Sequence, residues 1–212
     1  SRERSLQKLQ VPICYSHYTM KKEKIQITIL ILGIIAVLAL MAIGIYNKYV
    51  KLKNLNEEGW SGIEVYLQKR LDLIPNLVNT VKGYATHEKE TLENVVRLRS
   101  QMMSIDTKDI DNIEKIQKIE NEMTKTLRSI MMLQENYPDL KANENFLSLQ
   151  SQLSQIETEI QSSRKYYNGT ARDRNTFVET FPNNIIGGFL GFKKAEFFNA
   201  SEGAERAPEV KF

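Results

Sequence analysis

Nucleophilic or metal chemistry in this 212-residue chain would have to start from one cysteine and two histidines. Cys14 and His17 both fall in the first nineteen residues, so the remainder is cysteine-free and carries His87 alone. A nucleophile needs a base beside it, usually a histidine, and that remainder offers a single candidate. His87-Glu88 opens like a zinc-protease helix, but residue 91 is Thr where a second histidine would have to share the face. His87 therefore reads as a solvated residue at a helix start. Carboxylates are plentiful (Glu57, Glu58, Glu120, Glu122, Glu157, Glu159), yet helical spacing puts them mainly on outward positions. Paired acid–base work needs two of them converging in a pocket. Gly187-Gly188 lacks the Lys-Ser/Thr of a phosphate loop, and Asn168-Gly169-Thr170 and Asn199-Ala200-Ser201 match a glycosylation acceptor at chance frequency. No catalytic, cofactor-binding or metal-ligating residue is assigned, and the chain is expected not to be an enzyme.

Two groupings suggest contact rather than catalysis. Arg70, Asp72, Pro75, Asn76, Asn79 and Lys82 crowd one helical stretch. Pro75 must free a backbone carbonyl there and predicts a kink. Asn76 and Asn79 either satisfy that carbonyl or join a polar docking patch for another helix. The second grouping is apolar: Phe181, Ile185, Ile186, Phe189, Leu190 and Phe192, at the start of the tail and in a stretch after residue 176 that holds seven of the eight phenylalanines. Gly187, Gly188 and Gly191 weaken a helical reading of it. The tail either folds back over the end of the bundle or stays exposed for a partner or a bilayer.

These groups are positioned by a run of 21 uncharged residues, Ile25 to Ile45. As a helix it is about 31 Å long, enough to cross a bilayer core. Thirteen of the 21 are Ile, Leu or Val, which favours insertion by about 4 to 8 kcal/mol. Lys21, Lys22 and Lys24 precede the run and Lys48, Lys51 and Lys53 follow it. A buried core helix would carry polar residues over six turns. A signal peptide is the closer rival, but the apolar run continues well past Val37-Leu38-Ala39, the nearest resemblance to a cleavage site. An uncleaved anchor at residues 25–46 is expected, with 20–24 as a basic tail. Residues 1–19 precede a natural-looking start at Met20 and are expected to be non-native or upstream-translated and disordered.

The formal charge of +3 is unevenly placed: residues 1–24 carry +4, leaving −1 on the rest. No clustered basic face remains for nucleic acid, so no nucleic-acid partner is expected. The flanking lysines tie on either side and leave orientation open.

Beyond the anchor, apolar residues recur at steps of three and four in four segments, with no alternating strand pattern. The first stripe runs Trp60, Ile63, Leu67, Leu71, Ile74, Val78, Val81 and Tyr84, and no breaker separates it from the membrane helix. The second starts at Thr86 and turns Leu92, Val95, Val96 and Met102 or Met103 inward, with either a loop or a frayed turn at Asp106–Asp111. The third holds Ile113, Ile116, Met123, Leu127, Ile130 and Tyr137. The fourth alternates steps of three and four from Phe146 through Leu149, Leu153, Ile156, Ile160, Ser163, Tyr167, Thr170 and Arg174 to Phe177 and Phe181. Its polar middle predicts that its C-terminal half is only partly covered. The expected fold is all-α: an up-and-down antiparallel bundle of about four helices over residues 47–181, on an N-terminal transmembrane helix, with a tail at 182–212.

Several stretches together resemble the LemA family of bacterial single-pass membrane proteins. They are Tyr46-Asn47, Trp60 with IEVYLQKRLDLIPNLVNTVKGYATHEKETLENV (63–95), YPDLKANENFLSLQSQLSQIE (137–157), SRKYYN (163–168), FPNNIIGGFLGF (181–192) and the closing PEVKF. The resemblance spans essentially Lys21–Phe212 and implies a mostly helical bundle on an N-terminal anchor, with no established enzymatic activity. The expected role is a membrane-anchored interaction or scaffold protein of the bacterial envelope, in the cell membrane. Its expected partners are the bilayer through residues 25–46 and unidentified membrane or envelope proteins, a second copy included. The alternative is binding to a lipid surface through the Phe/Ile-rich tail; a novel enzyme is a distant third.

Overall fold

The computed structural model describes residues 2–107 and 112–198, with side chains from residue 22 onward. Residues 108–111 of the expected loop and residues 199–212 of the tail lie outside the described residues. The order is α1 (Arg2–Lys82), α2 (Lys89–Met103), α3 (Ile113–Met132), a 3-10 turn (Leu133–Glu135), α4 (Pro138–Lys141), α5 (Glu144–Glu179) and α6 (Asn183–Leu190). No strand occurs among the described residues, and the all-α expectation holds.

Helix α1 is a single element of 81 residues. The apolar run and the first bundle stripe are continuous, as the absence of a breaker between them required. The backbone is also helical through residues 2–19, where no fold was expected. Extending an existing helix costs little per residue, and no glycine precedes Gly33. From Ile25 to Met41 the side chains of α1 are exposed on every face, which overturns the buried-core alternative for this segment. Residues 22–82 include a helix long and apolar enough to cross a membrane.

Beyond Tyr46, α1 packs along the full length of α5 in antiparallel sense. Tyr49 meets Arg174, Asn56 meets Thr170, Arg70 meets Glu157 and Tyr84 meets Asn143, one number falling as the other rises. The α2–α3 hairpin completes the bundle, tied internally by Asn94 to Thr126 at 3.1 Å. One core runs through it, from Trp60 and Ile63 through Leu98, Ile116 and Ile130 to Phe146 and Tyr167. Asn143 caps α5 by accepting from the Phe146 N–H at 2.9 Å. Helix α2 starts later than expected: Glu88, rather than Thr86, stands at its N-cap. Leu92, Val95 and Met102 face inward as expected, while Leu98 takes the inward place expected of Val96, which is exposed.

The tail forms a helix despite its glycines. Gly191, at φ 72°, ends α6 in the left-handed region that a Cβ disfavours. The next residues turn back along α5, and Ala195 and Phe198 are buried.

At Gly59 the backbones of α1 and α5 pass close together, since a Cβ there would lie 3.3 Å from the Tyr167 Cα. Gly59→Val is expected to cost about 1 to 3 kcal/mol by overpacking. Gly169, in α5, has open space at its Cβ position, so Gly169→Ala is expected to stabilise by up to about 1 kcal/mol. Thermal melting of the detergent-solubilised chain separates the two signs.

Candidate interaction site

Two charged residues stand on apolar stripes and define the centre of the bundle. Arg70 lies one turn below Ile74 on α1, and Glu120 sits between Ile116 and Met123 on α3. Both are buried, at 2% and 1% exposure. The Arg70 guanidinium donates to Glu120 Oε1 at 2.7 Å, to Thr124 Oγ1 at 3.0 Å and to Glu157 Oε2. Arg164 donates to the other oxygen of Glu120 and stacks over the Phe198 ring at 4.5 Å. Two guanidinium groups and two carboxylates thus compensate one another in the interior, the condition for burying charge at all. Burial pulls the Arg70 guanidinium below its ordinary value, with Glu157 opposing. Burial and the Arg70 charge pull Arg164 down to about 10, so Arg164 stays charged at neutral pH.

This corrects the expectation that Glu120 and Glu157 face outward. Glu120 recurs at the helical step of its apolar neighbours, a signal visible in the sequence. Glu157 flanks Ile156 and is only half-buried. The two carboxylates converge, but each has a guanidinium as counter-charge, so the cluster reads as a structural clasp. Among the described residues no group of three His, Cys, Asp or Glu side chains forms a metal site. His87 is exposed between α1 and α2.

The polar grouping around Pro75 is split by the helix. Arg70 points into the core, whereas Asp72, Pro75, Asn76, Asn79 and Lys82 are exposed. Asp72 accepts from Gln68 at 2.8 Å. The carbonyl freed by Pro75 belongs to Leu71, and the Arg99 Nε of α2 donates to it at 2.9 Å. The proline vacancy is therefore filled by a neighbouring helix, not by Asn76 or Asn79, and α1 continues through Pro75.

Above the clasp, α3 and α5 diverge and leave an open trough of about 500 Å³. Leu127, Met131, Met132 and Leu153 wall it, and Arg70 and Glu157 lie at its floor. Met132 is exposed although it is unbranched and apolar. An apolar trough with a charged floor is shaped to take one face of a helix or an extended segment.

A second polar cluster lies toward the apolar run. Arg174 is buried at 7% exposure. Its guanidinium reaches Asn56 Oδ1 at 3.4 Å and the Tyr49 hydroxyl at 3.2 Å, while Asn56 donates to Thr170 at 3.1 Å. The C-terminal half of α5 is thus covered, against the expectation from its polar residues, because α1 supplies polar partners and residues 192–198 lie over it. Asn175 and Asn168 each take both an N–H and a carbonyl of this strap, at Ala195 and Phe198, at 2.7 to 2.9 Å. Seven residues of helix rise about 10.5 Å and three extended residues about 10 Å, so the two asparagines match the strap's pitch. Tyr167 donates to the Glu196 carbonyl at 2.8 Å and Gln117 to that of Phe197 at 3.0 Å. Of the six apolar tail residues singled out, Ile186 and Phe192 are half-buried while Phe181, Ile185, Phe189 and Leu190 stay exposed.

Glu120→Ala leaves two guanidinium groups without their shared carboxylate and is expected to cost about 3 to 5 kcal/mol. Glu157→Ala, at a half-exposed position, is expected to cost less; denaturant melts of both variants check the order. Burial raises the Tyr167 phenol to about 12 from 10.0. A raised folded-state value gives a contribution present in full below the unfolded value and lost as pH climbs through the folded one. The stability advantage of the wild type over Tyr167→Phe is therefore expected to shrink between pH 10.0 and about 12, as read by melting across that range.

Comparison with known proteins fits this geometry. The chain is 27% identical over 161 residues to a protein named LemA from Metamycoplasma hominis, covering 76% of this chain and 71% of that one. It is 21% identical over 193 residues to the magnetosome protein MamQ 2 of Paramagnetospirillum magneticum, covering 80% and 71%. It is also 21% identical over 175 residues to the magnetosome protein MamQ of Magnetospirillum gryphiswaldense, covering 73% and 64%. The sequence model of the LemA family matches residues 59–212, from the middle of α1 through the clasp, the trough and the tail. On that match over most of its length, the chain belongs to the LemA family.

Proposed function

We propose that this protein is a single-pass scaffold of the bacterial cell membrane, anchored by residues 25–46, that holds a docking trough at a fixed height for a partner envelope protein. The observation that carries the reading is the trough between α3 and α5, with Leu127, Met131, Met132 and Leu153 on its walls. Its height follows from α1. Arg70 at the trough floor lies 24 residues beyond Tyr46 on one helix, about 36 Å along the axis. Anchor and bundle share that helix, so a partner engaged at the trough is held at a set distance from the bilayer. The partner chemistry that suits the trough is an amphipathic helix whose apolar face meets the methionines and whose polar edge meets Glu157 and the exposed Arg128, which also lines it. A second copy of the chain is one such partner.

A photo-crosslinking side chain at Met132, in membranes from cells carrying the full chain, tests the reading. The expected result is one discrete adduct of defined mass, lost on Met131→Asp, while the same side chain at exposed Asn79 gives none. No discrete adduct at Met132, or equal adducts at both positions, overturns it.

A further inference from the structure

Four apolar side chains near the end of the apolar run are left open to solvent. Phe181, Ile185, Phe189 and Leu190 are 74%, 53%, 89% and 49% exposed, on and beside α6. The position of α6 is fixed from both sides. After it, Phe192 stacks on Tyr49 with ring centroids 3.8 Å apart and lies 6.4 Å from the Tyr46 ring. Before it, Phe177 of α5 lies under Lys48 Nζ at 5.5 Å, and Phe181 follows just past the end of α5 at Glu179. Helix α6 is therefore level with residues 44–49 of α1, where the uncharged run gives way to lysines. Ile45 and Tyr49 are buried there, while the preceding stretch of α1 is open. The sequence of α6, NNIIGGFL, has no charge, whereas Lys48, Lys51 and Lys193 around it are exposed and Lys194 is ion-paired with Glu179.

We infer that α6 is a second membrane contact: its four open apolar side chains sink into the boundary between headgroups and acyl chains, and the surrounding lysines meet anionic headgroups. An uncharged apolar helix collared by lysines has the chemistry of an interfacial element. Its level on α1 places it at the surface of the bilayer that residues 25–46 would cross. The inference rests on that anchor reading, and it adds a constraint: two contacts with one membrane fix the tilt and rotation of the bundle, which a lone span leaves free.

Spin labels in the full chain test it. In a Cys14→Ser background, single cysteines are introduced as Phe189→Cys, Ile185→Cys, Ala36→Cys and Asn79→Cys. Each variant is labelled and reconstituted into vesicles of phosphatidylcholine with phosphatidylglycerol. Collision rates with oxygen and with a water-soluble nickel chelate are read for each. The expected result is an oxygen-rich, nickel-poor environment at 36, an intermediate one at 185 and 189, and an aqueous one at 79. Should one of the α6 variants lose its helical circular dichroism, the other carries the reading. An aqueous signature at both 185 and 189 with a lipid signature at 36 overturns the inference and leaves the anchor standing. An aqueous signature at 36 overturns both. Dipolar broadening between labels at 189 assigns the face to a second copy and overturns the lipid contact.

Discussion

A helix that emerges from an apolar run can change direction only where its sequence breaks, and α1 has no break before Lys82. Everything else follows from that stiffness. The same backbone that forms the candidate span also forms the long wall of the bundle, so the other helices must assemble against an element whose direction is already set. Helix α5 does so over 36 residues, and the α2–α3 hairpin closes the remaining side. A bundle built this way has no hinge between its apolar stalk and its core.

That arrangement explains the polar interior. Two long antiparallel helices packed only by aliphatic residues could slide by a turn with little loss, because one apolar stripe resembles another. Arg70 with Glu157 and Arg174 with Tyr49 and Asn56 are paired in the present register. A one-turn slip of α5 would break those bonds while Arg70 kept Glu120 and Thr124 of α3, and stripping buried polar groups of their partners costs more than displacing aliphatic contacts. The clasp also recruits α3 through Glu120, and Arg99 recruits α2 through the carbonyl exposed by Pro75. Helices α2, α3 and α5 are thereby each keyed to α1 by polar contacts of their own.

Much of this was legible in the sequence. The apolar run, its continuity with the first stripe, the antiparallel bundle and the family all followed from periodicity, breakers and motif order. The polar interior was less legible. Glu120 falls on the step shared by Ile116 and Met123, and Arg70 on the step of Ile63 and Ile74, but charged residues at such positions are more often outward edges of a stripe than members of it. Only the position of the opposing helix decides between these, and one sequence does not supply it. The occupant of the Leu71 carbonyl was unreadable for the same reason: Arg99 is 28 residues away. The coverage of Thr170 and Arg174 was missed because the cover is a segment without periodicity, held through its own backbone.

That last feature has an evolutionary side. Asn168, Asn175, Tyr167 and Gln117 all hold the strap through main-chain atoms. Such a grip measures distance between residues and is blind to their identity. Lys193, Glu196 and Phe197, whose side chains are exposed, are consequently free to drift without loosening the closure. A lineage could retune the charge or stickiness of this surface by point substitution, whereas adding or deleting a single residue between Ala195 and Phe198 would throw the grip out of step.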